Sequence, residues 1–157
     1  DGSMALSGGA IRLRRPILVD YRDGFISDIR GGKEAERLEA CIRAAEAQAR
    51  DMEREGRLPP GVGETYARNA RALGELGIGL NPRTRIEGNV LNDEKVLGTC
   101  HLAVGFNLDE DAPSLIHLDG LVRRPTLTAL LPGGREQVLM QEGRFPRPAA
   151  GRAARPS

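Results

Sequence analysis

The segment Gly98-Thr99-Cys100-His101-Leu102-Ala103-Val104-Gly105 is an apolar run that contains a single imidazole. A short apolar run of this kind, bounded by glycines, predicts a buried β-strand. Burying an imidazole costs free energy unless a hydrogen-bond partner or a metal ion replaces the lost water. We therefore expect a buried strand in which His101 has a polar partner.

The second histidine of the chain lies in a similar apolar run, from Leu115 to Val122, as part of His117-Leu118-Asp119. On a strand, residues two apart project from the same face, so the imidazole and the carboxylate point the same way. Both groups are good ligands for Zn, Fe or Mn. The same geometry also suits a structural His–Asp hydrogen bond, and the spacing alone leaves both interpretations open.

Further carboxylates precede these two strands. Three glycines among apolar residues in the segment 74–82 predict a strand that the backbone or a ligand approaches closely, and Glu75 lies within it. Glu75 is thus a third candidate ligand. Glu87, Asp93 and Glu94 have polar neighbours in the sequence, and we expect them to be surface groups.

The rest of the chain predicts an α+β fold in a single domain, residues 1–143. The longest helix is expected from Lys33 to Glu55, where apolar residues recur at three- and four-residue spacings. We expect it to cover a mixed or antiparallel sheet. Other expected elements are two strands around a turn at Asp23-Gly24, a shorter helix from Glu64 to Leu73, a loop or short helical turn at 89–95, and a closing hairpin of 126–131 with 137–141.

The composition excludes several classes of partner. Basic and acidic side chains number 23 and 22, and aromatic residues make up 3% of the chain, so we expect no nucleic-acid partner. No apolar run approaches ~20 residues, and no signal peptide is visible, so we expect no membrane partner. Cys41 and Cys100 form no disulfide framework, which favours a cytoplasmic location.

The two ends of the chain carry separate expectations. Residues 144–157 are rich in Pro, Ala, Arg and Gly, a composition that cannot form a core and that predicts a flexible basic tail. The opening Asp1-Gly2-Ser3 is neither a start site nor a recognisable tag. We therefore expect the native chain to begin further upstream.

Four segments, 74–82, 88–95, 98–105 and 116–120, occur in an order that resembles the C-terminal region of the aminopeptidase T family of thermophilic metallopeptidases. The relatives of that family include dihydroxypyridine ring-cleaving dioxygenases that use non-haem iron. The resemblance is clearest from about Leu73 to Thr126.

This resemblance implies a metal site. Glu75, His101, His117 and Asp119 match positions that bind a pair of divalent ions, such as Zn, Co, Mn or Fe, in the peptidase branch. In the dioxygenase branch the position of Glu75 resembles a His, which gives a site of two histidines and one carboxylate. In a hydrolytic enzyme, Glu94 is the carboxylate we expect to transfer the catalytic proton.

Three hypotheses about function follow. The first is a metal-dependent enzyme, or its metal-binding part, that hydrolyses peptide or amide bonds with metal-activated water. The second is a non-catalytic protein that binds a peptide or small molecule on the same scaffold, for example as an accessory protein in a biosynthetic pathway. The third is a structural domain in which His101, His117 and Asp119 form a polar cluster. Exposed strand edges make a homodimer an expectation under all three.

Overall fold

The computed structural model describes residues 3–6, 9–12, 15–109 and 111–146, the first two ranges as backbone only. They form a single mixed α/β domain with antiparallel sheets and one long helix. The elements in chain order are β1 (Ser3–Leu6), β2 (Gly9–Arg12), β3 (Leu18–Arg22), β4 (Phe25–Arg30), α1 (Lys33–Arg54), α2 (Val62–Asn69), β5 (Leu73–Ile78), α3 (Val90–Asp93), β6 (Thr99–Gly105), β7 (His117–Arg123), β8 (Leu127–Leu130) and β9 (Glu136–Met140).

A five-stranded sheet has the strand order β2-β1-β7-β6-β5, and every neighbouring pair is antiparallel. The two histidine-bearing strands, β6 and β7, are therefore interior strands, as their apolar composition predicts. Strand β1 was not anticipated, because its short sequence shows no alternation of apolar and polar residues.

The predicted hairpin around Asp23-Gly24 is confirmed as β3 and β4. Asp23 has φ 51° and Gly24 has φ 80°, the left-handed pair that a tight two-residue hairpin turn requires. The hairpin is attached to the chain before β5, since the Ile26 amide donates to the Arg71 carbonyl at 2.8 Å and the Leu73 amide to the Gly24 carbonyl at 2.7 Å.

Helix α1 begins at Lys33 as predicted and ends at Arg54. Its buried face, which includes Leu38 and Ile42, forms a core with Ile26 of β4, Val104 of β6 and Leu118 of β7. The helix also packs along α2. On one side, Arg71 binds Glu39 and Glu46 of α1.

The second helix is shorter than predicted. It ends at Asn69, and the chain is already in β5 at Leu73, where the sequence pattern still indicated helix. The cause is tertiary: the Gly105 amide donates to the Ala72 carbonyl at 2.9 Å, and Leu73 pairs with Val104 of β6. Sheet pairing overrides the helical propensity of these residues.

The remaining predictions have different outcomes. Cys41 is half-buried and Cys100 buried, both as free thiols, and burial raises the pKa of the Cys100 thiol. The predicted closing hairpin is present as β8 and β9. No helix in the described part of the chain is long and apolar enough to cross a membrane. Most of the predicted basic tail, residues 147–157, lies outside the described residues.

Candidate metal centre

The strand register places four of the proposed ligands on one face of the sheet. Asp119 of β7 is opposite Ala103 of β6, which is opposite Glu75 of β5. His101 is opposite Gly77, two residues after Glu75. Cross-strand partners share a face, as do residues two apart on one strand. The residues of this face are therefore Glu75, Gly77, His101, Ala103, His117, Asp119 and Leu121.

The opposite face of the same strands contributes to the core. Val104 is 3% exposed and Leu118 is 1% exposed, and both belong to the apolar cluster that α1 completes. Alternate residues along β6 and β7 thus have different surroundings. One set packs in the core, and the other set carries the titratable groups.

His101 lies at the bottom of this polar cluster, with its side chain 8% exposed. Its Nε2 is 3.1 Å from Glu75 Oε1 and 3.9 Å from Glu94 Oε2. Its Nδ1 is buried and has no hydrogen-bond partner among the described residues. A buried polar atom without a partner is rare and calls for a specific explanation, such as a bound ion.

The ring of His101 fits only because residue 77 is glycine. A Cβ at Gly77 would lie 1.9 Å from His101 Cε1 and 2.4 Å from Nε2. The imidazole therefore lies flat against the backbone of β5. This is the close approach that the glycine-rich segment 74–82 predicted, and here a side chain makes it.

His117 has a defined tautomer. Its Nδ1 is 2.6 Å from the Phe106 carbonyl oxygen, which can only accept, so Nδ1 carries the hydrogen. In the neutral ring, Nε2 then presents a lone pair toward Asp119 Oδ1, 3.1 Å away. Two lone pairs at that distance repel unless a cation, either a proton or a metal ion, lies between or beside them. Metal-binding histidines commonly donate their second N–H to a backbone carbonyl in this way.

Glu94 reaches the cluster from the end of α3. The helix is held by Asp93, which is fully buried and accepts hydrogen bonds from the amides of Glu87 at 2.8 Å and Gly88 at 2.9 Å. The Glu94 side chain that follows is 11% exposed. The expectation that Asp93 and Glu94 are surface groups was wrong. Backbone amides of the preceding loop replace water around the Asp93 carboxylate, and the polar cluster surrounds the Glu94 carboxylate. Glu87 is exposed, as expected.

The donor atoms have separations that suit a cation. One oxygen of Glu94, one ring nitrogen of His101 and one oxygen of Asp119 all lie within 4.8 Å of one another. Ligands about 2.1 Å from a common ion are about 3 Å apart in adjacent positions and about 4.2 Å apart in opposite positions. Small side-chain rotations would therefore bring all three to one ion. An imidazole with carboxylates is a donor set for Zn, Mn or Fe(II).

The structure brings the five residues proposed from the sequence into one connected group. Glu75 contacts His101, His101 lies near Glu94 and Asp119, and Asp119 contacts His117. Glu75 is 39% exposed and His117 is 32% exposed, so the group is open to solvent on one side. The roles of these residues as metal ligands, and of Glu94 as a proton carrier, stay predictions.

Sequence reasoning missed one charged residue of this group, Lys95. Its Nζ is 2.7 Å from Glu94 Oε1. The hydrogen bond to Glu94 raises the pKa of Lys95, and the charges of Glu94, Glu75 and Asp119 act in the same direction. The adjacency of Lys95 to Glu94 was the available signal, but neighbouring charges in a sequence rarely share a site.

Comparison with known proteins finds no matching family model and no matching curated protein. Among solved structures, the chain is similar to a 2,5-dihydroxypyridine dioxygenase from Pseudomonas putida KT2440, with a TM-score of 0.57 and 19% identity. The match covers 87% of this chain and 35% of the dioxygenase chain, so this chain spans about a third of that length. At this identity the similarity establishes a shared fold. No comparison supports the aminopeptidase T side of the resemblance.

Proposed function

We propose that this chain is the metal-binding part of a metalloenzyme and that it binds a divalent cation through Glu94, His101 and Asp119. The observation that carries the proposal is the convergence of their donor atoms, within 4.8 Å of one another, from the end of α3, from β6 and from β7. The burial of the His101 side chain, which is 8% exposed, supports it independently. An exposed group of acidic residues can have the first feature but lacks the second.

The other members of the cluster fit a supporting role. The Phe106 carbonyl fixes the ring of His117, so that its Nε2 and Asp119 Oδ1 face the same space at 3.1 Å. Glu75 stands 3.1 Å from His101 on the open side. These two residues can orient the ligands or provide further ligands, and they leave a solvent-facing approach for a substrate. A bound divalent ion would supply Lewis-acid activation of a coordinated oxygen.

For the reaction class, we favour oxygen-dependent cleavage of a hydroxylated aromatic ring with Fe(II). The support is the shared fold with a 2,5-dihydroxypyridine dioxygenase and the second histidine, His117, whose Nε2 is 3.1 Å from the proposed ligand Asp119. Recruitment of His117 beside His101 would give the two histidines and one carboxylate that are typical of non-haem iron oxygenases. Within such a site the chain's own groups would bind the substrate's hydroxyl and hold its proton. Glu75, whose side chain is 39% exposed, is the carboxylate on the open side.

The second candidate is hydrolysis of a peptide or amide bond. One observation favours it: three carboxylates, from Glu75, Glu94 and Asp119, surround only two imidazoles. Such oxygen-rich sets suit Zn, Co or Mn sites that activate water, with a carboxylate that does not bind the ion, such as Glu75, as the general base. Oxygen uptake with Fe(II) and 2,5-dihydroxypyridine, compared with release of p-nitroaniline from aminoacyl anilides with Zn(II) or Co(II), separates the two classes.

Metal binding itself is tested first. Protein stripped with EDTA is titrated by calorimetry with Zn(II), Mn(II) and, without oxygen, Fe(II), and its metal content is measured by elemental analysis. We expect one tightly bound ion per chain. His101→Ala, Glu94→Gln and Asp119→Asn should each weaken binding by about 100-fold, because each removes one ligand.

The matched control is Glu136→Gln, which removes an exposed carboxylate in β9, away from the cluster. This variant should bind metal as the original protein does. Equal binding by the original protein and His101→Ala would refute the proposed site. Binding of a small molecule or peptide that persists in EDTA would instead favour the non-catalytic hypothesis.

A further inference from the structure

Lys95 places a positive charge at the candidate metal centre. Its Nζ is 2.7 Å from Glu94 Oε1, while the other oxygen of the same carboxylate, Oε2, is 3.9 Å from His101 Nε2. Glu94 therefore stands between the ammonium group and the imidazole. The Lys95 side chain is 62% exposed, so it can move away from Glu94 without disturbing the core.

When no metal ion is bound, the carboxylates of the cluster need another cation to balance their charge. Glu75, Glu94 and Asp119 bring three carboxylates into one group, and like charges held this close disfavour the folded state. Within the described residues, Lys95 is the basic side chain that forms an ion pair with one of these carboxylates. The ammonium thus reduces the repulsion that a divalent ion would otherwise remove.

We propose that Lys95 is a built-in counter-cation that competes with the divalent ion for Glu94 and so keeps metal binding reversible. This inference rests on the proposed function, because it concerns the same site. When the ion binds, the ammonium group leaves Glu94 for solvent. When the ion leaves, Lys95 returns to Glu94 and the cluster is again compensated.

The competition has a calculable size. Binding of the ion must break the Lys95–Glu94 ion pair, and the released ammonium group remains tethered near the divalent charge. Together these two effects weaken binding of the ion by about tenfold. The charge should have the opposite effect on the metal-free protein, which it stabilises. A residue with only a structural role would not affect the two states in opposite directions.

The test uses Lys95→Met, which keeps most of the apolar stem and removes the charge. Calorimetric titration with Zn(II) should show about tenfold tighter binding than in the original protein, and the EDTA-treated variant should melt at a lower temperature. Lys95→Arg keeps the charge and should restore the original affinity. Lys33→Met, at an exposed lysine at the start of α1, should change neither quantity. Equal or weaker Zn(II) binding by Lys95→Met overturns the inference.

A second measurement needs no variant. Lys33 and Lys95 are the two lysines of the chain, so mass spectrometry can follow acetylation of Lys95 with Lys33 as the internal reference. Saturation with Zn(II) should raise the ratio of Lys95 to Lys33 acetylation, because the amine is released from Glu94. An unchanged or lower ratio contradicts the competition.

The two proposals fail in different ways. If the original protein binds Zn(II) and His101→Ala does not, but Lys95→Met matches the original protein, only the role of Lys95 is wrong. If the original protein and His101→Ala bind Zn(II) equally, the metal site and the competition at it are both wrong.

Discussion

Replacing Gly77 by alanine tests the metal centre through shape instead of charge. The added Cβ would lie 1.9 Å from His101 Cε1, 2.4 Å from Nε2 and 2.7 Å from Nδ1, whereas ordinary contact begins at 3.4 Å. The imidazole must therefore move by about 1.5 Å. Metal–ligand distances tolerate deviations of only about 0.2 Å, so the displaced ring can no longer serve as a ligand where Glu94 and Asp119 meet.

The expected result is a selective loss of binding. Gly77→Ala should bind Zn(II) about 100-fold more weakly, as His101→Ala should, because both remove the same ligand. The steric clash should cost about 1–3 kcal/mol in the free energy of unfolding. Calorimetric titration measures the first quantity, and urea denaturation of the EDTA-treated protein measures the second.

The chain offers a matched control at Gly120 in β7, next to Asp119. Among the residues whose side chains the structure describes, a Cβ there would meet only the Leu102 carbonyl oxygen, at an ordinary 3.6 Å. Gly120→Ala should therefore bind metal as the original protein does. Normal binding by Gly77→Ala would refute the reasoning, because it would mean that the ring of His101 is dispensable or can rotate freely.

Two further predictions concern stability. Arg71 holds the pKa of Glu39 at about 2, below the ordinary 4.5, so this ion pair stabilises the fold fully above pH 4.5 and progressively less as the pH falls toward 2. In EDTA, Glu39→Gln should lower the free energy of unfolding by about 1–3 kcal/mol at pH 7. The difference from the original protein, measured by urea denaturation, should shrink between pH 5 and pH 2. A difference that stays constant over this range would contradict the prediction. Asp93→Asn should lower the free energy of unfolding by about 1–3 kcal/mol, because the backbone amide of Glu87 or Gly88 would then face the side-chain NH2 group, which cannot accept a hydrogen bond. The same variant should also weaken Zn(II) binding. Asp109→Asn, at an exposed position, is its control, and equal behaviour of the two variants would show that the Asp93 carboxylate is not needed.

Local signals in the sequence predicted much of the fold. The Asp23-Gly24 turn has one favourable conformation, which the sequence identifies directly. The apolar periodicity after Lys33 is long enough to specify α1 within one residue of its end. Alternation in His117-Leu118-Asp119 predicted the shared face of the two polar residues, and the strand register agrees with it.

The errors arise where tertiary contacts outweigh local sequence. Residues 70–73 leave α2 early because Leu73 pairs with Val104 of another strand. The burial of Asp93 depends on amides of the loop before α3, which sequence spacing does not reveal. The presence of Lys95 at the polar cluster depends on how α3 meets the sheet. The homodimer and the identity of the metal remain predictions.

The alternation of side chains along β6 and β7 has a practical consequence for protein engineering. In both strands the odd-numbered positions, such as 101, 117 and 119, carry the polar cluster, whereas the even-numbered Val104 and Leu118 pack in the core. A combinatorial library that varies only positions 101, 117 and 119 would leave the apolar cluster in place, and the buried Ala103 and Leu121 would be kept. New ligand sets could then be selected on an unchanged scaffold.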